Sequence, residues 1–258
     1  MEISIEHGYL SEIYSAIQGE GTLVGVRQIF VRFSACDLRC VWCDTPESLL
    51  RTDFCELEIL AGSRTFEKIK NPLSKDKLIT YIQRLQPELH HSISLTGGEP
   101  LLQSDFLLNF LPQFKKYVHL PVYLESGGHR DEDLGKIINF IDYISMDFKL
   151  PSSAKTANLW ENHLRFLNTA LNSKSLKNIY VKIVITKDTL FDELEYSVNL
   201  IKGFQKIKNI DVILQPVSEV NGSKPPGEKD LLETHFKLLK LYPYIKIIPQ
   251  VHKLIGQR

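Results

Sequence analysis

The chain has 258 residues, and its 31 lysines and arginines equal its 31 aspartates and glutamates, so the formal net charge is zero. That balance gives no electrostatic reason to expect a nucleic acid or an acidic membrane as a partner. Hydrophobic residues make up 43% of the chain and charged residues 24%, as in ordinary globular proteins. We expect residues 1–258 to form one α/β domain with a full core.

Apolar runs typical of strands alternate along the chain with amphipathic runs typical of helices. The predicted strands cover residues 28–35, 91–97, 121–127, 143–149, 179–186 and 211–217, with a further short apolar run at 245–251. The predicted helices cover residues 74–87, 101–117, 131–140, 157–172, 190–205 and 228–241. The last helix repeats side chains at helical spacing, which predicts a stripe facing the core: Leu231, Leu232, His235, Leu238 and Leu239.

This alternation predicts parallel strands joined by right-handed crossovers, with helices outside a full or partial barrel. In such folds the chemistry gathers at the carboxyl ends of the strands. The six predicted strands end in polar, glycine or cysteine residues, namely Cys36, "TGGEP", "ESGG", "DFK", Thr186 and "QP". We therefore expect a single site to which all six strands contribute.

The first ten residues include acidic side chains and no apolar run, which argues against a secretory signal. No apolar stretch approaches the ~20 residues needed to cross a bilayer. We therefore expect a cytoplasmic protein, in which thiols stay reduced. Clustered cysteines in such a protein indicate a metal site or catalysis before disulfides.

Three of the four cysteines, Cys36, Cys40 and Cys43, fall within the stretch "SACDLRCVWCDTP" at 34–46. Three interpretations are open: buried structural thiols, a zinc site completed by Cys55, and a 4Fe–4S cluster with one open iron. Structural zinc sites usually present two separated pairs of ligands. Four-iron clusters normally use four cysteines, so three would leave one iron to a substrate or cofactor.

The Cys-x3-Cys-x2-Cys spacing resembles the signature of the radical S-adenosylmethionine superfamily. The segment "LTGGEP" at 95–100 resembles the glycine-rich segment that holds the methionyl amino group in that superfamily. The resemblance implies a 4Fe–4S cluster on the three cysteines and S-adenosylmethionine on the open iron, cleaved by one electron to a 5′-deoxyadenosyl radical. It also implies a partial (β/α)6 barrel of the radical SAM type, with Trp42 as an apolar shield over the cluster.

Two further segments resemble the 7-carboxy-7-deazaguanine synthase family: "IQGEG" at 17–21, and "WCDT" at 42–45 after an arginine on the first strand. The similarity continues through "LQPVSE" at 214–219 and "QVHKLIGQR" at 250–258. This family contracts 6-carboxy-5,6,7,8-tetrahydropterin to 7-carboxy-7-deazaguanine with loss of ammonia, a carbon–nitrogen lyase reaction in queuosine and 7-deazapurine biosynthesis. The resemblance also implies an assisting Mg²⁺, a flavodoxin or ferredoxin as electron donor, and a homodimer.

By this resemblance the substrate contacts are Ile17, Gln18, Gly19, Glu20, Arg32, Thr96, His252 and Arg258. Gln18 and Glu20 offer acceptors to the N–H donors of a pyrimidinone edge. Arg32 lies mid-strand, where a guanidinium needs a partner, and either the substrate carboxylate or a structural ion pair would supply one. The catalytic set is Cys36, Cys40, Cys43 and Thr45, with the Thr45 hydroxyl on Mg²⁺.

The resemblance also implies contacts to S-adenosylmethionine from Gly98, Glu125, Ser126, Asp147, Phe148, Lys149, Gln215 and Pro216. Asp147-Phe148-Lys149 stands where many family members have Ser-Pro-Lys, so an aspartate would face the ribose hydroxyls. "ESGG" at 125–128 replaces the frequent Glu-Thr-Ser-Gly. Residues 50–75 match no part of the family pattern, and we expect Cys55 within them to take no part in the chemistry.

Two alternatives remain at this point. Another small radical enzyme, such as an activase of glycyl-radical enzymes, would share the cysteines and the glycine segment. It would not need Glu20, Arg32 or Thr45, because its substrate is a peptide backbone and no magnesium takes part. A zinc-binding structural or nucleic-acid module is the second alternative, and the neutral charge counts against nucleic acid.

Overall fold

A computed structural model describes residues 5–257. The strands in this range are β1 (His7–Gly8), β2 (Leu10–Ile17), β3 (Arg27–Phe33), β4 (Phe54–Glu58), β5 (Phe66–Lys70), β6 (Leu73–Ser74), β7 (Ser92–Gly97), β8 (Val122–Ser126), β9 (Tyr143–Asp147), β10 (Asn178–Ile185), β11 (Asp211–Pro216) and β12 (Ile245–Ile247). The α-helices are α1 (Lys75–Arg84), α2 (Ser104–Tyr117), α3 (Asp131–Ile137), α4 (Pro151–Ala154), α5 (Trp160–Leu171), α6 (Phe191–Lys202), α7 (Glu228–Leu241) and α8 (Val251–Leu254). None of these helices is long and apolar enough to cross a membrane.

Ten strands form one sheet in the order β12-β11-β10-β9-β8-β7-β3-β2-β4-β5. Each neighbouring pair from β3 to β12 is parallel, which confirms the predicted partial barrel of parallel strands. Beyond β3 the sheet is mixed, because β2 is antiparallel to β3, β4 is parallel to β2, and β5 is antiparallel to β4. The sequence patterns predicted none of these added strands. The apolar run at 245–251 is a strand only at its start, and α8 begins at Val251.

The two faces of the parallel strands differ in character, because successive side chains of a strand point to opposite sides. In β10 the side chains of Val181 and Ile183 are fully buried in the main core, together with Phe110 and Phe114 of α2. The alternate residue Lys182 points inward. The helices therefore cover an aliphatic outer face, and the inner face is free to carry polar groups.

An aromatic cluster fills the barrel interior at the amino ends of the strands. Tyr123, Tyr180 and Ile213 are buried together there, and the hydroxyls of the two tyrosines are hydrogen-bonded. Gly21 has a φ of +63°, and a Cβ at this position would lie 1.8 Å from the Tyr180 hydroxyl oxygen. A glycine is therefore required where the segment after β2 crosses this cluster. The filled interior leaves the carboxyl ends of the strands as the place for a cavity.

Helix α7 buries a narrower stripe than its sequence predicts. Leu238 is fully buried and Leu231 packs on the core, but Leu232 is 60% exposed and Leu239 37% exposed. The helix lies at the edge of the sheet, where it contacts only α6 and the short β12 closely. Only one side of α7 therefore has partners within the described chain.

Candidate active site

The carboxyl ends of the parallel strands surround a cavity of about 290 Å³. Most of the residues predicted from the sequence line it, although they come from segments spread over the whole chain. They are Ile17, Gln18, Gly19, Glu20, Arg32, Cys36, Cys40, Cys43, Thr45, Thr96, Gly98, Glu125, Ser126, Asp147, Lys149, Gln215 and His252. The structure thus brings the cysteines and both predicted ligand-binding sets to one place.

Two of the predicted residues that the structure describes, Phe148 and Pro216, are not on the cavity wall. The Phe148 side chain is buried in the outer core and stacks on His163, with ring centroids 4.1 Å apart. Pro216 pairs with Ile185 at the end of β11 and lies outside the cavity lining. A ligand contact at Phe148 would have to come from its backbone. Arg258 lies outside the described residues.

The glycine segment packs directly against the start of the cysteine loop. The backbone N–H of Gly98 donates to the Phe33 carbonyl at 2.9 Å, and that of Glu99 donates to the Ala35 carbonyl at 2.9 Å. A Cβ on Gly98 would lie 2.1 Å from the Ala35 carbonyl oxygen. Gly98 is therefore needed for two backbones to meet, and this contact fixes where Cys36 enters the site.

The three clustered cysteines are partly exposed free thiols. Burial raises the pKa of Cys36 to about 11 and also raises the pKa of Cys40. A metal centre would have to displace these protons, since the thiolate is the ligand. Within residues 5–257 the three Sγ atoms do not all lie within 4.8 Å of one another.

Cys55 takes no part in this group. It is fully buried in β4 within the main hydrophobic core and does not line the cavity. Its thiol makes one long contact, 3.8 Å from Sγ to the Glu56 carbonyl oxygen. Burial raises the pKa of this thiol. Cys55 therefore cannot complete a four-cysteine site without a change of fold.

Trp42 belongs to the cysteine segment, and its side chain packs between that segment and the end of β10. Its ring is 9% exposed and packs on Cys40, Ala154 and Val184. The Lys149 ammonium lies 4.3 Å from the ring centroid, a cation–π distance. The indole therefore packs on Cys40, and its role as a shield over a cluster stays a prediction.

Two buried acceptors on the strand ends have no protein partner. Asp147 Oδ2 accepts from Lys149 at 2.7 Å and contacts Lys182 at 3.3 Å, but its Oδ1 atom has no hydrogen-bond partner among the described residues. The same holds for the Oε1 atom of Gln215. Since buried acceptors are normally hydrogen-bonded, a ligand with hydroxyl and amino donors fits this wall. The ribose hydroxyls and adenine amine of S-adenosylmethionine are such donors.

Gln18 and Glu125 form the opposite wall. The Gln18 amide donates to Gln28 at 2.9 Å and to Glu125 Oε1 at 3.1 Å, and the Ser94 hydroxyl donates to the same oxygen at 2.8 Å. Burial raises the pKa of Glu125. The Ser126 hydroxyl donates instead to Glu99, so the two neighbouring residues serve different parts of the site.

Arg32 already has an anionic partner. Its Nε donates to Glu12 at 2.7 Å, and its Nη2 donates to the Tyr14 hydroxyl at 2.7 Å. The guanidinium is nearly buried, with 12% of the side chain exposed. Arg32 can therefore form a structural ion pair and still bind a substrate carboxylate. The pair with Glu12 uses the Nε side of the guanidinium, and Nη1 can donate to a second carboxylate.

Glu20 is held by a network that closes over the cavity. Its Oε2 atom lies 2.5 Å from the Lys182 ammonium, and its Oε1 atom accepts from Gln250 at 2.8 Å. The same Gln250 amide donates to Asp44 at 2.8 Å. Burial alone would raise the pKa of Glu20, but the charge and hydrogen bonds of these partners outweigh it and lower the pKa to about 2. A carboxylate oxygen of Glu20, a carboxylate oxygen of Asp44 and a ring nitrogen of His252 all lie within 4.8 Å of one another.

Comparison with known proteins places the chain in a family. Residues 30–201 match the model of the radical SAM superfamily. The chain is 39% identical over 254 residues to the 7-carboxy-7-deazaguanine synthase of Geobacter sulfurreducens, covering 96% of this chain and 97% of that protein. The chain belongs to the 7-carboxy-7-deazaguanine synthase family. It is 34% identical to the synthase of Archaeoglobus fulgidus over 252 residues, with 96% and 98% covered.

The fold comparison agrees with this membership. The crystal structure of QueE from Escherichia coli covers 95% of both chains with a TM-score of 0.61, although only 17% of residues are identical. As a member of the 7-carboxy-7-deazaguanine synthase family, the chain is a radical S-adenosylmethionine enzyme, and that superfamily uses a 4Fe–4S cluster and S-adenosylmethionine. The zinc-module alternative is therefore wrong.

Several polar residues that line this synthase-family site were not predicted from the sequence: Tyr14, Asp44, Glu99, Lys182 and Gln250. Lys182 did carry a signal, because it interrupts the apolar run "IYVKIVI" in the way that Arg32 interrupts its own strand. Asp44 and Gln250 lie next to, or two residues from, predicted site residues. Tyr14 had no signal, since β2 itself was not predicted.

Proposed function

We propose that this chain contracts the ring of 6-carboxy-5,6,7,8-tetrahydropterin to 7-carboxy-7-deazaguanine with release of ammonia, in queuosine and 7-deazapurine biosynthesis. The observation that carries the proposal is 39% identity over 96% of the chain to a relative of that name. The cavity supports it, since Gln18, Glu20 and Arg32 lie in the same space as the three cysteines. An activase of glycyl-radical enzymes would not need Glu20, Arg32 or Thr45, which all line this cavity.

We assign Cys36, Cys40 and Cys43 as the cluster ligands. When bound there, a 4Fe–4S cluster supplies the electron that cleaves S-adenosylmethionine and so starts the radical chemistry. Asp147 Oδ1 would accept from the ribose hydroxyls, and Gln215 would accept from the adenine amine. Gly98 and Ser126 would lie at the methionyl end, near the buried Glu99.

The substrate would lie between Gln18 and the cysteine loop. Arg32 would bind the substrate carboxylate through Nη1, with Glu12 and Tyr14 fixing the direction of the guanidinium. Gln18 and Glu20 would orient the pyrimidinone edge, while Thr96 and His252 close the sides. Such fixed side chains position the reacting carbon and exclude water, which is the protein's share of cofactor chemistry.

Magnesium is a further part of the proposal. Thr45 Oγ1 would be its protein ligand, and substrate and water oxygens would complete the octahedral set that Mg²⁺ prefers. The Thr45 hydroxyl lies 4.0 Å from Cys43 Sγ and lines the cavity, which supports a role for it beside both substrate and cofactor.

The remaining proposals concern organisation. Residues 1–258 would form one radical SAM domain, and the single ten-stranded sheet supports this. We further propose a cytoplasmic homodimer reduced by a flavodoxin or ferredoxin, with no nucleic-acid or membrane partner. The family resemblance carries the dimer and the electron donor.

The test is an anaerobic reaction. The cluster is reconstituted, and S-adenosylmethionine, reductant, Mg²⁺ and 6-carboxytetrahydropterin are supplied. Mass spectrometry should detect 7-carboxy-7-deazaguanine, and omission of Mg²⁺ should lower its rate. Formation of 5′-deoxyadenosine without any deazaguanine would overturn the pterin assignment and leave the radical chemistry in place.

A further inference from the structure

Lys182 is a buried lysine on the inward face of β10, between Tyr180 and Val184. The strand is apolar on both sides of it, and the residue is only 8% exposed. An ammonium group removed from water in this way is costly unless carboxylates pair with it. No motif of the sequence assigns a role to this side chain.

Two carboxylates reach Lys182 from different parts of the fold. Its Nζ lies 2.5 Å from Glu20 Oε2, which belongs to the segment after β2, and 3.3 Å from Asp147 Oδ2, at the end of β9. The Lys182 carbonyl also accepts from the Phe148 N–H at 2.7 Å, which holds β10 beside the end of β9. One ammonium group therefore touches the substrate side and the adenosyl side of the cavity.

The two carboxylates depend on this lysine to different degrees. Asp147 has a second cation, Lys149, at 2.7 Å. Glu20 has the Gln250 amide as its other contact, and no second lysine bonds to it within residues 5–257. The other charged or titratable groups that face Glu20 are His252 on α8, Glu125 on β8, Asp147 on β9, and Asp44 with its partner Lys253. Loss of Lys182 would thus leave Glu20 buried without a lysine in contact.

We propose that Lys182 is a positioning residue that anchors Glu20 and Asp147 with one ammonium group and so orients both the substrate end and the adenosyl end of the site. The names of the two ligands rest on the proposed function. Neither ligand needs to touch Lys182 for the effect, because the lysine acts through the two carboxylates. Its removal should therefore weaken the binding of both ligands and make substrate binding depend on pH.

The experiment measures binding without turnover. Reconstituted protein is kept without reductant, and the dissociation constants of S-adenosylmethionine and of pterin-6-carboxylate are measured from pH 6 to pH 9. Each value for Lys182→Met is divided by the wild-type value at the same pH, which cancels the titration of the pterin itself. Lys182→Arg keeps the charge and serves as the matched control. Lys182→Gln replaces Lys182→Met if that variant does not fold.

The expected result follows from the sign of the pKa change. Wild-type Glu20 has a pKa of about 2 and stays ionised throughout this pH range. Without the lysine, burial raises the pKa of Glu20, so the ratio for pterin-6-carboxylate should climb as pH falls, by roughly tenfold per pH unit below the new pKa. In Lys182→Arg the ratio should stay flat. A second ratio divides the dissociation constant of the double variant Lys182→Met/Glu20→Gln by that of Glu20→Gln alone. This ratio should also be independent of pH.

The proposal is overturned if folded Lys182→Met gives a flat ratio near one, or if Lys182→Arg reproduces its pH dependence. Failure of wild-type protein to bind pterin-6-carboxylate at any pH, with S-adenosylmethionine still bound, would overturn the proposed function instead. The affinity of Lys182→Met for S-adenosylmethionine, expected to fall about tenfold, would then test the Asp147 contact alone.

Discussion

The outward faces of the parallel strands form the hydrophobic core, whereas the inward faces of the same strands line the active-site cavity. On β8, Leu124 is fully buried in the aliphatic core beneath the helices, while its neighbour Glu125 lines the cavity and bonds to Gln18 and Ser94. A strand's alternation separates the two environments by one residue. We therefore expect outward-facing substitutions to change the free energy of unfolding and inward-facing substitutions to change ligand binding and activity. The following substitutions test this separation.

The largest effect is expected from a pair of cysteines, one in each environment. Cys40→Ala should abolish product and the cluster's visible absorbance, because it removes a ligand facing the cavity. Cys55→Ala should keep both and lose about 1 kcal/mol of unfolding free energy, since this thiol is a small buried apolar group. Iron and sulfide analysis with chemical denaturation measures both. Loss of iron from the Cys55 variant would break the contrast.

Asp147→Asn should affect the cofactor more than the fold. The substitution keeps the shape but removes the charge that Lys149 and Lys182 contact. We expect the affinity for S-adenosylmethionine to fall about tenfold to a hundredfold, the usual cost of losing charge-assisted hydrogen bonds. Equilibrium binding to the reconstituted protein measures this. Asp211→Asn is the matched control, because Asp211 lies at the amino end of β11, away from the cavity, and pairs with Lys246. This variant should bind S-adenosylmethionine with wild-type affinity.

On the outward face, Leu124→Ala should act on stability alone. A fully buried leucine truncated in a packed core costs about 2–5 kcal/mol, and Leu124 is 0% exposed. Denaturant titration should show that loss. The folded fraction should bind S-adenosylmethionine with wild-type affinity, so weak binding well below the unfolding transition would contradict the separation of the two faces.

Substitution of Asp142, at the amino end of β9, should lower stability by an amount that depends on pH. It accepts from the Val122 N–H at 2.8 Å and pairs with Lys115 and Lys177. Burial alone would raise its pKa, but these partners lower it below the ordinary 3.8. Asp142→Asn should therefore cost about 1–3 kcal/mol near neutral pH.

The sign of that pH dependence is fixed by the lowered pKa of Asp142. The carboxylate's contribution is fully present above pH 3.8 and disappears as pH falls through the lowered folded value. Denaturation of wild type and Asp142→Asn should thus differ by a constant amount from pH 5 to pH 8 and converge in acid. A difference that grows in acid would show that the charge is not what stabilises this end.

The parallel part of the fold could be predicted because its strands are mostly apolar runs that alternate along the chain with amphipathic helical runs. Predicted strand 143–149 is β9 at Tyr143–Asp147, and predicted helix 228–241 is α7 with the same bounds. The mixed edge could not be predicted in this way. Strand β2 mixes apolar and polar residues without strict alternation, and β4 and β5 lie in a stretch without a clear period.

The sequence by itself determined the type of chemistry, because the spacing of Cys36, Cys40 and Cys43 and the adjacent glycines of "TGGEP" are local patterns. Only the tertiary structure decided which charges meet. Lys182 lies 162 positions from Glu20 in the chain, and no local pattern encodes a contact over that separation. Arg32 likewise was visible as a charge inside a strand, but its pairing with Glu12 depends on how β2 lies against β3. Long-range ion pairs arise from packing, so they are read from the fold.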